Sequence, residues 1–402
     1  MPFRLRFLGI LLLTVALGAA WALSVPLHAP DYWSRRGNWF PDEADHLSVA
    51  RFWAEHSHPP PYEPPYMTGQ HPPLYYLFGA ALLRVFGGEL LAVRALSVVT
   101  GLLTVCFAGV AARRLGGREV GLLAMAIVAL VPMRAALSGA ASNENLATCL
   151  AAATLALLAR AARTRRPGML PLLALCAALG VGAKLTALGL VLAALPLVWQ
   201  LWRGRGAALF LFLASALTLG AWGWWLAWNR QHFGEWFMNE AMHRYWDGRQ
   251  PGYAVLSARH AITLPRYLFG IAATGGRSFW GAFCGVTFFL PIPVYVLLAG
   301  WHATLPRELL RLRRMSARVR AWWLGVGLYA GFLLTVFIGY NLNYFSAQGR
   351  YLHGLLVPLA LLLARGWLRS FPPAHRKKAG GGLVLALLLL NVYCLAVYPP
   401  WR

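Results

Sequence analysis

The sequence predicts an all-α protein that crosses a membrane many times, and three observations support this fold class. Hydrophobic residues make up 59% of the 402 residues and charged residues only 12%, about half the charged share of soluble domains. The mean hydropathy is +0.54. The apolar residues also form long runs, each close to the roughly 20 residues that cross a bilayer as a helix. These observations exclude an ordinary soluble enzyme.

The apolar runs define the predicted transmembrane helices. The first run could be a cleavable signal, since Arg4 and Arg6 precede it, but its length and the runs that follow favour a retained helix. We expect a single transmembrane domain over residues 1–402, without a separate soluble domain. Eleven runs are expected to span the membrane, at residues 7–27, 91–112, 119–137, 145–160, 169–183, 185–201, 207–229, 281–301, 321–340, 351–366 and 380–398.

The distribution of charge predicts which loops are cytoplasmic. The formal net charge of +24 could indicate a nucleic-acid-binding protein, but the basic residues are concentrated in short loops between spans. Basic loops stay on the cytoplasmic side of a membrane. We therefore expect a multi-pass protein of the inner (cytoplasmic) membrane with a cytoplasmic N-terminus. The basic loops contain Arg113 to Arg118, Arg160 to Arg166, Arg203 and Arg205, Arg307 to Arg320, and Arg365 to Lys378.

A shorter apolar run at residues 73–87 is constrained by the same rule. If it also crossed the membrane, the loop from Arg113 to Arg118 would lie outside. We therefore expect residues 73–87 to form a helix in the plane of the outer surface, or to dip into the membrane and return. Residues 28–90 and 230–280 then form two large extracytoplasmic loops.

The acidic residues are gathered on the extracytoplasmic side of this layout. Only Glu119 and Glu308 are expected inside. Acidic residues contribute little to membrane topology, so the asymmetry requires a chemical explanation. The acids expected outside are Asp31, Asp42, Glu43, Asp45, Glu55, Glu63, Glu89, Glu144, Glu235, Glu240 and Asp247.

The first extracytoplasmic loop contains the densest group of these acids. Asp42, Asp45 and His46 are spaced i, i+3 and i+4, so they share one face of a predicted short surface helix, with Glu43 beside them. Helix capping would by itself account for Asp42. A cap, however, needs one carboxylate, and three acids and an imidazole stand together here. A loosely held divalent cation is also left open, although Asp42, Asp45, His46, His56, His58 and His71 match no sharp metal-binding spacing.

Several cations on the outer side could bind a phosphate. Lys184 lies between two apolar runs, where a charge costs about 2.5–3.5 kcal/mol and usually has a partner; snorkelling to the surface is the alternative. The second outer loop alternates basic and aromatic residues, which suits phosphates and sugars, although such residues also bind lipid headgroups. Among the outer cations we favour Arg266 and Arg350, because each stands beside a tyrosine at the mouth of a span.

Motifs in a fixed order then indicate a family. The chain resembles the GT-C superfamily of membrane glycosyltransferases, in particular the bacterial aminoarabinose transferases and the protein O-mannosyltransferase-like enzymes. The resemblance covers mainly residues 1–200. It is carried by Pro41-Asp42-Glu43, His71-Pro72-Pro73-Leu74-Tyr75-Tyr76, Glu89 to Arg94, Ser142-Asn143-Glu144-Asn145, Gly182-Ala183-Lys184-Leu185-Thr186 and Gln348-Gly349-Arg350-Tyr351-Leu352.

The resemblance implies a GT-C-type helix bundle and an inverting sugar transfer on the extracytoplasmic side. The donor would be a polyprenyl-phosphate sugar, and the acceptor a lipid, a glycan or a protein. Asp42 would be the catalytic base, with Glu43 and Glu144 as supporting acids. The predicted substrate- and phosphate-binding residues are His46, His71, Lys184, Arg266, Arg350 and Tyr351, although many relatives carry a lysine where this chain has His71.

The residues themselves are consistent with that chemistry. Sugar transfer from a lipid phosphate needs a base for the acceptor hydroxyl, cations for the leaving phosphate and an apolar groove for the lipid. Two other functions remain open from the sequence alone. A lipid or solute transporter would place ionisable groups near the middle of the bilayer, whereas this chain keeps its acids at the outer ends. A catalytically silent partner in envelope assembly would tolerate replacement of Asp42.

Overall fold

The computed structural model describes residues 3–25, 42–164, 166, 168–246 and 249–398. Asp31, Pro41, Arg165 and Asp247, which entered the sequence predictions, lie outside the described residues. Over the described residues, the α-helices are α1 (Phe3–Ser24), α2 (Glu43–Glu55), α3 (Leu74–Val85), α4 (Leu90–Gly116), α5 (Arg118–Leu130), α6 (Pro132–Ser138), α7 (Asn143–Thr164), α8 (Met169–Ala183), α9 (Gly189–Phe233), α10 (Asn239–Trp246), α11 (Tyr253–His260), α12 (Leu264–Trp280), α13 (Ile292–His302), α14 (Leu305–Leu312), α15 (Ala317–Asn343), α16 (Leu356–Arg369) and α17 (Arg376–Val397).

Short elements connect these helices. Strands β1 (Ala282–Phe283) and β2 (Phe288–Phe289) form an antiparallel hairpin in which Ala282 pairs with Phe289. Four 3₁₀ segments lie at Met67–Gln70, Leu185–Leu188, Gly349–Leu355 and Pro373–His375. The protein is thus almost entirely helical, as the sequence predicts.

Seven helices of the described part of the chain are long and apolar enough to cross a membrane, or eight if the bent pair α5 and α6 is one span. The axes of that pair differ by 67°. The bend follows from Pro132, because a proline disfavours the helical conformation in the residue before it, and Val131 is extended with φ −64° and ψ 118°. The protein is therefore a multi-pass membrane protein, but the predicted count of eleven spans is not confirmed.

Three regions account for the difference between the eleven predicted spans and the eight counted when α5 and α6 form one span. Helix α9 has 45 residues and contains two predicted runs; at 1.5 Å per residue it is about twice the bilayer thickness, and its backbone is non-helical at Arg203, with φ 60° and ψ −161°. Helix α8 is apolar but has only 15 residues. The run at 281–301 is divided between the β-hairpin and the 11-residue helix α13.

Small residues allow the central helices to pack closely. Ala108 and Ala112 of α4 and Ala152 of α7 are buried in the largest apolar cluster. A Cβ atom at Gly109 of α4 would lie 3.1 Å from the sulfur of Met125 on α5. Membrane helices pack through such residues because dispersion contacts replace the hydrophobic effect between them. The outward side chains include exposed leucines and phenylalanines such as Leu297 and Phe269, as expected for a lipid-facing surface.

A second apolar cluster holds the first outer loop against the helix bundle. Val49 and Ala50 of α2 pack with Tyr75 and Tyr76 of α3 and with Val93 of α4. The 12 residues of α3 span only about 18 Å, which is too short to cross a hydrocarbon core of about 30 Å. This agrees with the prediction of a non-spanning helix there. Helix α2 is therefore fixed at one end of the bundle.

Candidate active site

A cavity of about 610 Å³ lies between α2, the starts and ends of several long helices, and the second outer loop. It brings together residues that are far apart in the sequence. Of the predicted site residues, Asp42, His46, His71, Glu144, Lys184, Arg350 and Tyr351 line it. Glu43 and Arg266 are not among its lining residues.

Asp42 stands at the start of α2 with its side chain turned towards this cavity. Its backbone adopts φ 63° and ψ 8°, a left-handed conformation that Asp tolerates better than most residues with a Cβ atom and that recurs at functional sites. The carboxylate makes no capping hydrogen bond to the helix, so the capping interpretation does not describe it. Instead, Oδ2 accepts a hydrogen bond of 2.5 Å from Nη2 of Arg350. The side chain of Asp42 is 43% exposed and that of Arg350 only 2%.

Arg350 is held in place from several sides. Its Nε donates to Oε1 of Gln348 at 2.7 Å, and its guanidinium carbon lies 5.1 Å from the ring centre of Tyr351. The first turn of the 3₁₀ segment Gly349–Leu355 places Arg350 and Tyr351 side by side. The charge of Arg350 is thus desolvated and directed at Asp42.

A second ion pair also contacts Tyr351. Nζ of Lys184 lies 4.7 Å from the ring centre of Tyr351 and also forms a short ion pair with Glu144. Lys184 follows the last residue of α8 in an extended conformation, and Glu144 lies in the first turn of α7. Both side chains are largely buried. The structure therefore provides the partner expected for Lys184, and the ring of Tyr351 contacts two cations.

Glu43 has a different environment from its neighbour Asp42. Its two carboxylate oxygens accept hydrogen bonds of 2.9 and 2.7 Å from Nε and Nη2 of Arg94. Oε1 also accepts from the backbone N–H of Ala141 at 2.7 Å. Nη1 of Arg94 donates to the carbonyl oxygens of Ala22 and Val25 at 2.5 and 2.7 Å. This buried pair ties the start of α2 to the end of α1, to α4 and to the segment before α7.

Two histidines form another part of the cavity wall. The rings of His46 and His71 are stacked with their centres 6.3 Å apart. Nδ1 of His46 lies 3.0 Å from the hydroxyl of Tyr76, which itself donates to the carbonyl of Thr68 at 2.8 Å, so Nδ1 carries the hydrogen of this contact.

Burial makes both histidines neutral at physiological pH. Burial lowers the pKa of His46 well below its usual value, and the charges of Arg350 and Lys184 lower it further. Burial likewise lowers the pKa of His71, with further lowering by Lys184 and His46. In the absence of a bound phosphate, the lowered pKa favours the neutral form of His71, and its predicted role in phosphate binding stays a prediction.

The second outer loop contributes a different arginine from the expected one. Arg266 is exposed in the first turn of α12, and its neighbour Tyr267 packs into a separate apolar cluster. Arg249 lines the cavity instead, with its guanidinium 4.0 Å from the ring centre of Tyr245. No local signal distinguished Arg249 among the basic residues of this loop.

Three other functional candidates were not selected from the sequence. Gln348 and Asn143 line the cavity beside predicted residues, and Arg94 belongs to a motif that was recognised without assigning it a role. The sequence signal that could have indicated these three residues is that each stands within one of the recognised motifs. The spacing could not show that Arg94 holds Glu43 across 51 residues.

One wall of the cavity is apolar. Leu333, Val336 and Phe337, all on the long helix α15, line it together with Tyr340. A wall formed by a candidate spanning helix can contact a lipid chain while the polar wall contacts its headgroup.

The possible metal ligands of the first loop are not assembled. Within the described residues, no group of three or more His, Cys, Asp and Glu side chains could hold a metal ion. His56 stacks on Phe52 with ring centres 4.1 Å apart, and His58 stacks on Trp228 at 5.5 Å. His56 and His58 therefore pack on aromatic rings and are not grouped with His46 and His71.

Comparison with known proteins identifies the fold. Residues 70–228 match the family model of dolichyl-phosphate-mannose-protein mannosyltransferase. No curated protein sequence matches the chain significantly. Among solved structures, ArnT from Cupriavidus metallidurans bound to undecaprenyl phosphate is similar over 94% of this chain, with a TM-score of 0.59 and 17% identity. The oligosaccharyltransferase of Archaeoglobus fulgidus with Zn and sulfate is similar over 97% of this chain, with a TM-score of 0.56 and 12% identity.

These matches confirm the resemblance to GT-C membrane glycosyltransferases and show that the chain has their fold. A further structure of the archaeal enzyme, AglB, in complex with an inhibitory peptide and a dolichol-phosphate, matches over 98% of this chain with a TM-score of 0.54 and 13% identity. The chain spans 63% of the length of the ArnT structure, 52% of the archaeal enzyme with Zn and sulfate and 55% of the complex with dolichol-phosphate.

Proposed function

We propose that the protein is an inverting glycosyltransferase that moves a sugar from a polyprenyl-phosphate donor to an acceptor of the cell envelope, which is a lipid, a glycan or a protein. The observation that carries this proposal is the Asp42–Arg350 pair, an exposed carboxylate on a buried arginine, inside a cavity with one cationic and one apolar wall. The three requirements for transfer from a lipid phosphate are thus present in a single site. The relatives solved with undecaprenyl phosphate and dolichol-phosphate support the same donor class.

The donor phosphate is assigned to Arg350, Lys184 and Arg249, with His71 as a further hydrogen-bond donor. All four line the cavity. Arginine forks match phosphate oxygens, and an incoming phosphate favours protonation of His71. The polyprenyl chain would lie along the apolar side chains of α15. Arg266 has no part in this assignment, because it lies away from the cavity.

Asp42 is assigned as the general base, and its ion pair implies an order of events. In the absence of donor, Oδ2 of Asp42 is engaged by Arg350. The donor phosphate competes for the guanidinium and releases the carboxylate. The acceptor hydroxyl then gives its proton to Asp42 while its oxygen attacks the anomeric carbon. The bond from that carbon to the phosphate oxygen breaks on the opposite face, and polyprenyl phosphate leaves with the electron pair, stabilised by Arg350 and Lys184.

The two other acids act through the residues that they hold. Glu144 neutralises and positions Lys184. Glu43 positions Asp42, because its buried contacts with Arg94 and Ala141 fix the start of α2. The ring of Tyr351 contacts both Lys184 and Arg350 and helps to position the two cations for a phosphate. His46 supports His71 by ring stacking.

The charge of the loops supports an extracytoplasmic position for the site. The cavity is formed at α2, at the start of α7 and at the end of α8, which the basic-loop rule puts outside. Groups that the same rule puts inside contact one another elsewhere. Arg6 pairs with Glu119 at 3.2 Å, and Nε of Arg163 donates to the carbonyl of Arg114 at 3.0 Å. These contacts support the orientation.

The test uses the purified full chain in lipid nanodiscs with a radiolabelled polyprenyl-phosphate sugar and a panel of acceptors. We expect acceptor-dependent release of polyprenyl phosphate by the wild type and a loss of about 10²–10⁴-fold in Asp42→Asn, the usual contribution of a general base. Glu55→Gln, at an exposed acid at the end of the same helix, is the matched control and should retain full activity. Equal turnover by the wild type and Asp42→Asn would overturn the assignment of the base.

A further inference from the structure

The short helix α14 on the predicted cytoplasmic side has three different faces. Glu308 points into the protein with only 1% of its side chain exposed, and Leu305 and Leu312 beside it pack against the apolar core. Leu309 and Leu310 are exposed by 49% and 63%. A helix with one face in the protein, one apolar face outside and one basic face is suited to lie at a membrane interface.

Glu308 fixes the orientation of this helix. Its carboxylate accepts hydrogen bonds from Nη1 of Arg369 at 2.7 Å and from Nη1 of Arg311 at 2.5 Å, and Nε of Arg365 lies 3.2 Å away. Burial by itself would raise the pKa of Glu308, but the hydrogen bonds and the nearby arginines bring it below its usual value. The buried anion therefore stays charged and ties α14 to α16.

The other arginines of α14 and of the turn after it are not paired with a buried acid. Arg307, Arg313 and Arg314 are exposed, and none of them has an ion pair among the described residues. Glu308 is the sole carboxylate in residues 303–320, and it is already occupied by three arginines. The surface formed by α14 and these three exposed arginines, the α14 basic surface, thus combines uncompensated positive charge with exposed leucines.

We propose that the α14 basic surface binds anionic phospholipid headgroups of the leaflet that it faces, with Leu309 and Leu310 in the acyl layer. Each basic residue near an anionic membrane surface contributes favourably and independently of lipid shape. The paired leucines distinguish a lipid from a free phosphate, because only a lipid brings acyl chains to them. The proposal concerns a site remote from the cavity and does not depend on glycosyl transfer.

The experiment is native mass spectrometry of the full chain in detergent, titrated with phosphatidylglycerol or with phosphatidylcholine of the same acyl chains. We expect the wild type to retain phosphatidylglycerol preferentially. The double variant Arg313→Gln/Arg314→Gln should reduce the retained phosphatidylglycerol roughly tenfold. The double variant Arg244→Gln/Arg259→Gln removes two exposed arginines of the second outer loop and should retain it as the wild type does.

Two further measurements locate the binding. Leu310→Asn should weaken phosphatidylglycerol retention without a change in net charge, and inorganic phosphate at the same concentration should not compete with the lipid. Equal retention of both lipids by the wild type would overturn the proposal. So would an equal loss in the two double variants, which would mean that any removal of positive charge has the same effect.

Discussion

Asp42 and Glu43 are neighbours in the chain, and each is paired with an arginine, yet the two pairs have opposite surroundings. The carboxylate of Glu43 is buried and receives hydrogen bonds on both oxygens. The carboxylate of Asp42 is 43% exposed to the cavity and shares one oxygen with Arg350. The first pair has no room for a substrate, whereas the second faces the space that a substrate would occupy. Burial is therefore the difference that leads us to propose Glu43 as a positioning acid and Asp42 as the base.

The largest expected effect is a loss of stability when the buried ion pair between Arg94 and Glu43 is broken. Arg94→Leu leaves Glu43 as an uncompensated buried charge and removes hydrogen bonds to two carbonyl groups. We expect a loss of about 3–5 kcal/mol in the free energy of unfolding, measured by thermal unfolding in detergent. Asp42→Asn, in contrast, should lower the unfolding temperature little. An unfolding temperature of Arg94→Leu equal to that of the wild type would contradict the positioning role.

A medium effect on stability is expected from pH, through the two histidines of the cavity wall, His46 and His71. The pKa values of His46 and His71 are lowered in the folded protein, so the unfolded chain binds more protons once the pH falls below the usual histidine value of about 6.5. Stability should therefore be constant above about pH 7 and should decrease on acidification, by at most about 1.4 kcal/mol per pH unit and per histidine.

The variant His71→Gln isolates this effect. Its unfolding temperature, measured from pH 8 to pH 5, should decline less steeply than that of the wild type. His243→Gln, at a histidine outside the cavity lining, serves as control and should keep the steeper slope. Parallel slopes for the wild type and His71→Gln would show that His71 does not titrate as a buried neutral group.

The smallest expected effect is on donor affinity, and it tests the ion pair between Asp42 and Arg350, which faces the cavity. In Asp42→Asn, Arg350 no longer has a carboxylate competing with the donor phosphate. Polyprenyl phosphate should then bind about fivefold more tightly than to the wild type, since a partly exposed ion pair contributes about 1 kcal/mol. Affinity is measured by fluorescence with a labelled short-chain polyprenyl phosphate. Unchanged or weaker binding would refute the competition between donor and base, without touching the assignment of Asp42 as base.

The sequence predicted the parts of the site that lie within one local segment. The helix beginning beside Asp42 and the short apolar helix after His71 follow from spacing and apolar length, and both are found in the structure. The outer position of Lys184 stays a prediction. The number of spans was harder. The sequence did divide α9 near Arg203, where its backbone is non-helical, but the apolar length of the 281–301 run does not show that a hairpin replaces part of a helix. The single-domain organisation and the catalytic roles stay predictions.

What the sequence by itself determined is the membrane-spanning helical class and the local grouping of acids and cations along the chain, because hydropathy and charge are properties of short segments. Only the tertiary structure decided which of them meet. Arg350 reaches Asp42 across 308 residues of chain, and Arg249 rather than Arg266 enters the cavity. Such pairings depend on how distant helices pack, and helix packing is set by many weak contacts that no local pattern records.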